Sequence, residues 1–296
     1  MSKTKILIVA GGTGGHIYPA RAVADYLSNK AKILYLEKKI ISSPKNIFKL
    51  IFGFFQSILI FLSFRPHAVF LTGGYPALPT GIAAFLFKTP IILQEQNVFL
   101  GKTNRFLARF AKEVFFETPV RKEIFAVSNK IPFEKRDTIL IFGGSQGAES
   151  INKAVEKMDL SELNVIHITG KGLPQNNGSY KQLPFAENMA PLYENTCLAV
   201  CRAGGSSLAE LSICGIPAIL IPYPYAAENH QQANAEKFSK AGAAVIIENL
   251  YLDKLESIMK MTYSDKKKLK LMSDNMKKLS DVETCDKIWQ LLKKVI

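Results

Sequence analysis

"IVAGGTGGHIYPA", Ile8 to Ala20, runs an apolar strand straight into four glycines and a histidine. A glycine turn between a strand and a helix lets backbone N–H groups approach an oxyanion closely, and the helix start adds partial positive charge. The turn is not the dinucleotide fingerprint G-x-G-x-x-G. Begun at Gly12, that pattern needs its last glycine where Ile17 stands; begun at Gly11, it fails at Thr13. A dehydrogenase would also want an acidic residue about 20 positions further on. Glu37 is a candidate, but the glycine spacing remains wrong and the motifs further along the chain go unexplained.

Outward from this turn, β-rich apolar runs alternate with helical patterns, the mark of parallel sheets built from βα units. Strands are expected at "KILIVA", "AKILYL", "AVFLTG", "PIILQE" and "EVFFE". From Thr118 to Asp137 the text is charged, carries two prolines and has no clean period, so a linker is expected there. A second series follows: "TILIFGG", "NVIHITG", "SYKQLPF", "LAVCRAG", "PAILIPY" and "AAVIIEN". It too opens on a strand entering glycines, "LIFGGSQGAE" from Leu140 to Glu149. Two doubly wound domains are expected, each with a glycine turn suited to a diphosphate, and a ligand held in a cleft between them.

The bulk composition is compatible with this. The chain has 296 residues, 48% of them hydrophobic, which is enough for two cores. The net charge of +13 favours an anionic partner without choosing among phosphate, nucleic acid and acidic lipid. The four cysteines form no C-x-x-C pair, and "MSKTKILIVAGG" lacks the long apolar region of a signal peptide, so a reducing, cytosolic compartment is expected.

Chemistry-bearing residues cluster at both turns. His16 follows the first turn, where it can act as a general base, a role that contributes on the order of 100- to 10,000-fold in rate. The other histidines, His67, His167 and His230, have no metal-ligand spacing, and no D-x-D occurs. No metal or cofactor is therefore expected. In "CRAGGSSLAELSICGIPAILIPYPYAAENHQQANAEKF", Ser206 and Ser207 suit a helix cap and first turn, and Glu210 is placed to accept two hydrogen bonds from a vicinal diol such as ribose. Gln231 and Gln232 offer amides to sugar hydroxyls.

The motifs "GGTGGHIYPA", "TGGYPALP", "QEQNVFLGKTNRFLA", "TPVR", "FGGSQGAESIN", "PFAENMAPLY", "CRAGGSSLAEL" and "HQQANA" resemble, in order, those of the MurG-type transferases. These are UDP-N-acetylglucosamine:N-acetylmuramyl-(pentapeptide) pyrophosphoryl-undecaprenol N-acetylglucosamine transferases, which make lipid II from lipid I. The resemblance runs from Ile6 to about Asn249. It implies a GT-B fold, two Rossmann-like doubly wound α/β domains facing across a cleft. Residues 1–119, with a C-terminal helix of about 283–296, would form an acceptor and membrane-associating domain; residues 120–282 would bind UDP-GlcNAc.

Carried over by position, the resemblance sets Thr13, Gly14 and Gly15 along the donor diphosphate and sugar, His16 as base and Asn97 at the transferred sugar or acceptor. Arg121, Ser145 and Ala186 would lie along the nucleotide, Ala186 through its backbone to uracil. Gly205, Ser206, Ser207, Leu208, Ala209 and Glu210 would wrap ribose and phosphate, and Gln231 and Gln232 would hold the sugar. Implied partners are UDP-GlcNAc, lipid I, anionic lipid at the cytoplasmic face of the inner membrane and a cell-wall synthesis complex, with no nucleic acid. Alternatives are another UDP-sugar enzyme on this fold, an epimerase or a transferase with a different acceptor, and a non-catalytic nucleotide-sugar-binding subunit.

Two departures stand out. Gln94 replaces the histidine with which the family usually opens its H-E-Q-N motif, and the segment between the second strand and "AVFLTGG" is shorter than usual. That segment holds Ile47 to Phe64, a near-uncharged run. At 100° per residue, Lys45, Asn46, Lys49, Gly53, Gln56, Ser57 and Ser63 fall within roughly 120° of one another, leaving an apolar arc about twice as wide. Ser43 as cap, Pro44 as first helical residue and Arg65-Pro66 as stop would frame the helix. The plain expectation is a buried helix packed on the sheet; the alternative is a helix whose surplus apolar surface enters the bilayer interface. The late lysine run "SDKKKLKLMSDNMKKLSD" reads as a solvated helix face, with acidic lipid as the alternative.

Overall fold

The computed structural model describes residues 3–37, 39–43, 46–144, 147–170, 180–226 and 229–296. The chain divides into two compact units: Met1–Arg121 with Val282–Ile296, and Lys122–Asp281.

The first unit alternates β1 (Lys5–Ala10), α1 (Gly14–Leu27), β2 (Lys32–Glu37), α2 (Ile47–Phe64), β3 (Ala68–Leu71), α3 (Ala77–Leu86), β4 (Ile91–Gln94), α4 (Lys102–Leu107) and β5 (Glu113–Phe115). The strands pair in parallel in the order β2-β1-β3-β4-β5. β1, β3 and β4 are almost wholly buried, as a parallel sheet covered on both faces requires. The strand order reverses between β1 and β3, so the turns after these two strands flank a topological switch point, where open α/β sheets bind ligands.

The second unit comprises α5 (Lys122–Val127), β6 (Thr138–Phe142), α6 (Glu149–Val155), β7 (Val165–Ile168), β8 (Lys181–Leu183), α7 (Ala190–Glu194), β9 (Thr196–Cys201), α8 (Gly205–Cys214), β10 (Ala218–Leu220), α9 (His230–Lys240), β11 (Ala244–Ile246), α10 (Leu255–Ser264) and α11 (Lys266–Lys278). Its parallel sheet runs β11-β10-β9-β6-β7-β8, and the switch falls between β6 and β9. The chain then returns to the first unit as α12 (Thr284–Val295), which buries Ile288 and Leu292 in the core shared with α1.

Three expectations are corrected here. The boundary between the units does fall within Thr118–Asp137, after Arg121, but from Lys122 on the segment is folded and not a linker: α5 buries Ile124 and Val127, and the buried Arg136 guanidinium donates to the carbonyls of Ser128, Ile131 and Cys214. A positive charge at the last carbonyls of α8 complements the helix dipole, and this local device leaves no period in the sequence. Second, α2 is capped by Asn46, whose side chain accepts from Lys49 N, and not by Ser43; Pro44 and Lys45 lie outside the described residues.

Third, α2 is not a buried sheet-packing helix. Only Gly53, Ser57 and Phe61 are buried, while Phe48 is 78% and Phe52 60% exposed, with Ile47, Ile51, Phe55, Leu59 and Leu62 also exposed. The helix turns its small and polar stripe inward. A Cβ on Gly53 would collide with the Ile41 carbonyl, the Ser57 hydroxyl lies 3.3 Å from that of Thr80 on α3, and Gln56 bonds both Lys39 O and Ile41 N. Close backbone approach admits only small side chains, so the large apolar ones face outward.

Candidate active site

At the first switch point, the turn after β1 and the turn after β3 lie back to back. A side chain on Gly11 would drive into the ring of Pro76, so the two backbones can meet only over glycine. Thr13 is the N-cap of α1, and its carbonyl accepts from His16 N at 3.0 Å. His16 and Thr72 then clasp each other twice: His16 Nδ1 lies 2.6 Å from Thr72 O, and Thr72 Oγ1 donates to His16 O at 2.8 Å. A carbonyl oxygen only accepts, so Nδ1 carries the proton and Nε2 the lone pair. Gly73, at φ +91°, gives the ring its room; a Cβ there would lie 3.2 Å from His16 Cε1.

Burial of the half-buried ring lowers its pKa below the usual 6.5, opposed by the Thr72 hydrogen bond, the charge of Glu95 and the Gln96 amide 3.3 Å away. His16 is thus a neutral base at pH 7. Glu95 organises its surroundings. This buried carboxylate accepts from Asn97 N, Asn97 Nδ2, Gly101 N and Asn104 Nδ2, all within 3.1 Å, and so fixes the loop from β4 to α4.

At the second switch point, Gly143, Gly144 (φ +82°) and Gly147 (φ +74°) leave β6, and Gly204 caps α8 after β9. Ser206 and Ser207 stand inside the first turn of α8, so the cap is the Gly204 backbone and not a serine. Gly205 and these serines open the helix, where the first-turn backbone N–H groups and the dipole favour an anion. Leu208 is buried beneath, Ala209 follows it, and the buried Glu210 accepts a hydrogen bond from Tyr193 Oη at 3.1 Å.

The remaining expected residues are dispersed. Thr13, Gly14 and Gly15 stand with His16 at the start of α1, and Asn97 is pinned to Glu95. Arg121 ends the first unit, with its guanidinium 4.3 Å from the centre of the Tyr18 ring. Ala186 lies in the half-exposed loop after β8. Gln231 and Gln232 begin α9; the Gln231 amide oxygen accepts from Tyr223 N, and Gln232 Nε2 donates to Glu236. Ser145 lies outside the described residues. Sequence reading missed Thr72, Glu95 and Tyr193, whose roles depend on partners distant along the chain. Among the described residues no three His, Cys, Asp or Glu side chains gather to hold a metal. The buried thiols of Cys197, Cys201 and Cys214 are pushed up to about 12, which leaves them inert.

Residues 35–116 match the glycosyltransferase family 28 N-terminal domain and residues 138–287 its C-terminal domain. The UDP-N-acetylglucosamine--N-acetylmuramyl-(pentapeptide) pyrophosphoryl-undecaprenol N-acetylglucosamine transferase of Halothermothrix orenii is 34% identical over 350 aligned positions, covering 93% of this chain and 94% of that protein. The enzyme of the same name from Desulforamulus reducens is 34% identical over 367 positions, covering 99% of each. Both alignments exceed the 296 residues of this chain, so these relatives carry segments that it lacks. The crystal structure of Acinetobacter baumannii MurG superposes with a TM-score of 0.72 at 26% identity, covering 99% of each chain.

Proposed function

The chain belongs to glycosyltransferase family 28, and from that premise we propose that it transfers N-acetylglucosamine from UDP-GlcNAc to the C4 hydroxyl of N-acetylmuramic acid in lipid I, giving lipid II and UDP. The observation that carries this reading is the His16 ring, neutral, with Nδ1 committed to Thr72 O and the lone pair on Nε2. His16 Nε2 takes the proton of the acceptor hydroxyl as its oxygen attacks the anomeric carbon. The bond from that carbon to the diphosphate breaks on the opposite face, with inversion, and UDP leaves with the electron pair.

Unit 2 holds the donor. The N–H groups opening α8 and the Gly143–Gly147 turn stabilise the departing diphosphate, Ser145 lines the nucleotide, and the Ala186 backbone meets uracil; Arg121, the last residue of the first unit before α5, is assigned to the nucleotide as well. Glu210 takes the ribose diol, and Gln231 and Gln232 the sugar. The reaction needs no metal in this reading.

The enzyme works as a peripheral protein at the cytoplasmic face of the membrane, where the outward face of α2 enters the bilayer interface. Phe61 on α2 packs 5.2 Å from Phe87, and exposed Phe85, Leu86 and Phe87 extend the apolar surface, with Lys49, Arg65 and Lys88 exposed around it. A spanning helix would forfeit both Gln56 hydrogen bonds, which favours an in-plane helix.

Transfer of labelled GlcNAc from UDP-GlcNAc to a lipid I analogue in the presence of EDTA tests the chemistry; loss of product under EDTA overturns metal independence, and an epimerised donor overturns the transfer. Flotation with anionic vesicles tests the surface. Phe52→Glu with Phe55→Glu is expected to release the protein, and undiminished flotation of the folded variant removes α2 from the membrane reading.

A further inference from the structure

Tyr193 is among the largest fully buried side chains of the molecule, and the proposed chemistry does not use it. It stands on α7, immediately after the loop that carries Ala186, and Asn188 of that loop accepts from Ala190 N, the first residue of the helix, at 3.0 Å. Its ring centre lies 6.5 Å from that of Phe142, the last residue of β6 before the second glycine turn. Its hydroxyl donates to Glu210 Oε2 on α8 at 3.1 Å. One buried phenol therefore joins three elements at the second switch point: α7, which follows the Ala186 loop, the end of β6 and the carboxylate of α8.

We propose that Tyr193 is a positioning residue for nucleoside recognition: by holding Glu210 Oε2 from the core side it fixes the carboxylate toward a ribose diol, and it locks the base-contacting loop in register with that carboxylate. The proposal rests on the reading of Glu210 as the ribose-facing group. A carboxylate tied to a buried phenol is held to the rotamers that keep that bond. The donor is dependable, since burial and the neighbouring carboxylate push the phenol pKa well above its usual value and keep it protonated throughout the working pH range. The feature this arrangement is proposed to read is the ribose diol, so a nucleotide lacking the ribose hydroxyls gains nothing from it.

The test is calorimetric binding of UDP and of 2′,3′-dideoxyuridine diphosphate to the full chain, its Tyr193→Phe variant and its Glu210→Gln variant. The phenyl ring preserves the packing against Phe142. Wild type is expected to prefer UDP, and Tyr193→Phe to shrink that preference by about tenfold, the worth of one hydrogen bond to a charged group, with the dideoxy affinity held within about twofold. In turnover the same variant raises KM for the donor and leaves kcat near wild type. Equal weakening of both ligands makes Tyr193 a packing residue only and overturns the proposal. An unchanged preference in Tyr193→Phe with a lost preference in Glu210→Gln overturns it while sparing the ribose reading. An unchanged preference in Glu210→Gln overturns the ribose reading itself, and the positioning role with it. Should Tyr193→Phe fail to fold, 3-fluorotyrosine at position 193 supplies the answer: its fluorine resonance is expected to move with UDP and stay with the dideoxy ligand, and equal shifts overturn the proposal.

Discussion

His16 follows the glycine turn of the first unit and His167 bonds the helix that follows the glycine turn of the second, and burial lowers the pKa of both. His167, on β7, places Nε2 3.0 Å from the Asn152 side-chain oxygen, and Asn152 in turn donates to Thr169 O at 2.7 Å. Since Asn152 belongs to α6, this chain of bonds anchors the helix that follows the second turn. The ring is 1% exposed, and its Nδ1 is sealed in the interior without a hydrogen-bond partner. His16 likewise spends one nitrogen on its support, but its ring stays half-buried and no described residue bonds Nε2. A depressed pKa is thus no mark of catalysis by itself. What separates the two rings is where the nitrogen with the lone pair is left.

The most severe way to break this comparison is to remove each ring. His16→Ala is expected to lower kcat by on the order of 100- to 10,000-fold, the usual contribution of a positioned base, with UDP binding near wild type. His167→Gln, which keeps a donor for Asn152, is expected to leave kcat within about threefold. Steady-state transfer of labelled GlcNAc measures both, and full turnover in His16→Ala removes this ring from the mechanism.

The two histidines also mark how far the sequence could be read. The strands were legible because each is a short apolar run set between helical or turn patterns, and both turns followed from the strands that enter them. His16 could be singled out because it directly follows such a turn. Its support could not, because Thr72 and Glu95 reach it only through the β1-β3-β4 order of the sheet. The α2 helix shows a different limit. Periodicity divides a helix into two faces but does not say which turns inward; that was decided by Gly53 and Ser57, small enough to pack against Ile41 and Thr80. Tyr193 and Arg136 were illegible for the same reason as Glu95, since each is defined by a partner far along the chain.

A second, smaller effect is read on His167, the ring sealed in the interior. In the unfolded chain its pKa is near 6.5, and burial in the native state pushes it down to about 4. Between these values the unfolded chain binds more protons than the folded one, so stability falls as pH falls through this window. At 1.36 kcal/mol per pKa unit the full penalty is about 3 kcal/mol, of which about 2 kcal/mol is reached between pH 7 and pH 5. His167→Gln is expected to flatten this part of the slope. Hydrogen exchange at the β7 amides reads the second unit directly, whereas the chain's one tryptophan, Trp289, reports on α12 and the first unit. Equal acid sensitivity in wild type and variant would show that the ring is not the titrating group.

The smallest effect tests whether Glu95 serves His16 by charge or by shape. The base must be unprotonated, so kcat/KM is expected to fall on the acid side with an apparent pKa below 6.5, in keeping with the depressed pKa of the ring. Desolvation sets that direction, and the Glu95 charge partly opposes it. In Glu95→Gln the charge is gone while the ring remains desolvated, so the acid limb is expected to move to still lower pH. The substitution also sets an amide N–H₂ against donors among Gly101 N, Asn97 and Asn104 Nδ2, at a cost of about 1–3 kcal/mol of stability. If Glu95 acts only by shaping this loop, the loosened loop admits water to the ring and the limb climbs back toward 6.5. The two roles displace the limb in opposite directions, so a pH profile of kcat/KM separates them however much overall rate the variant loses.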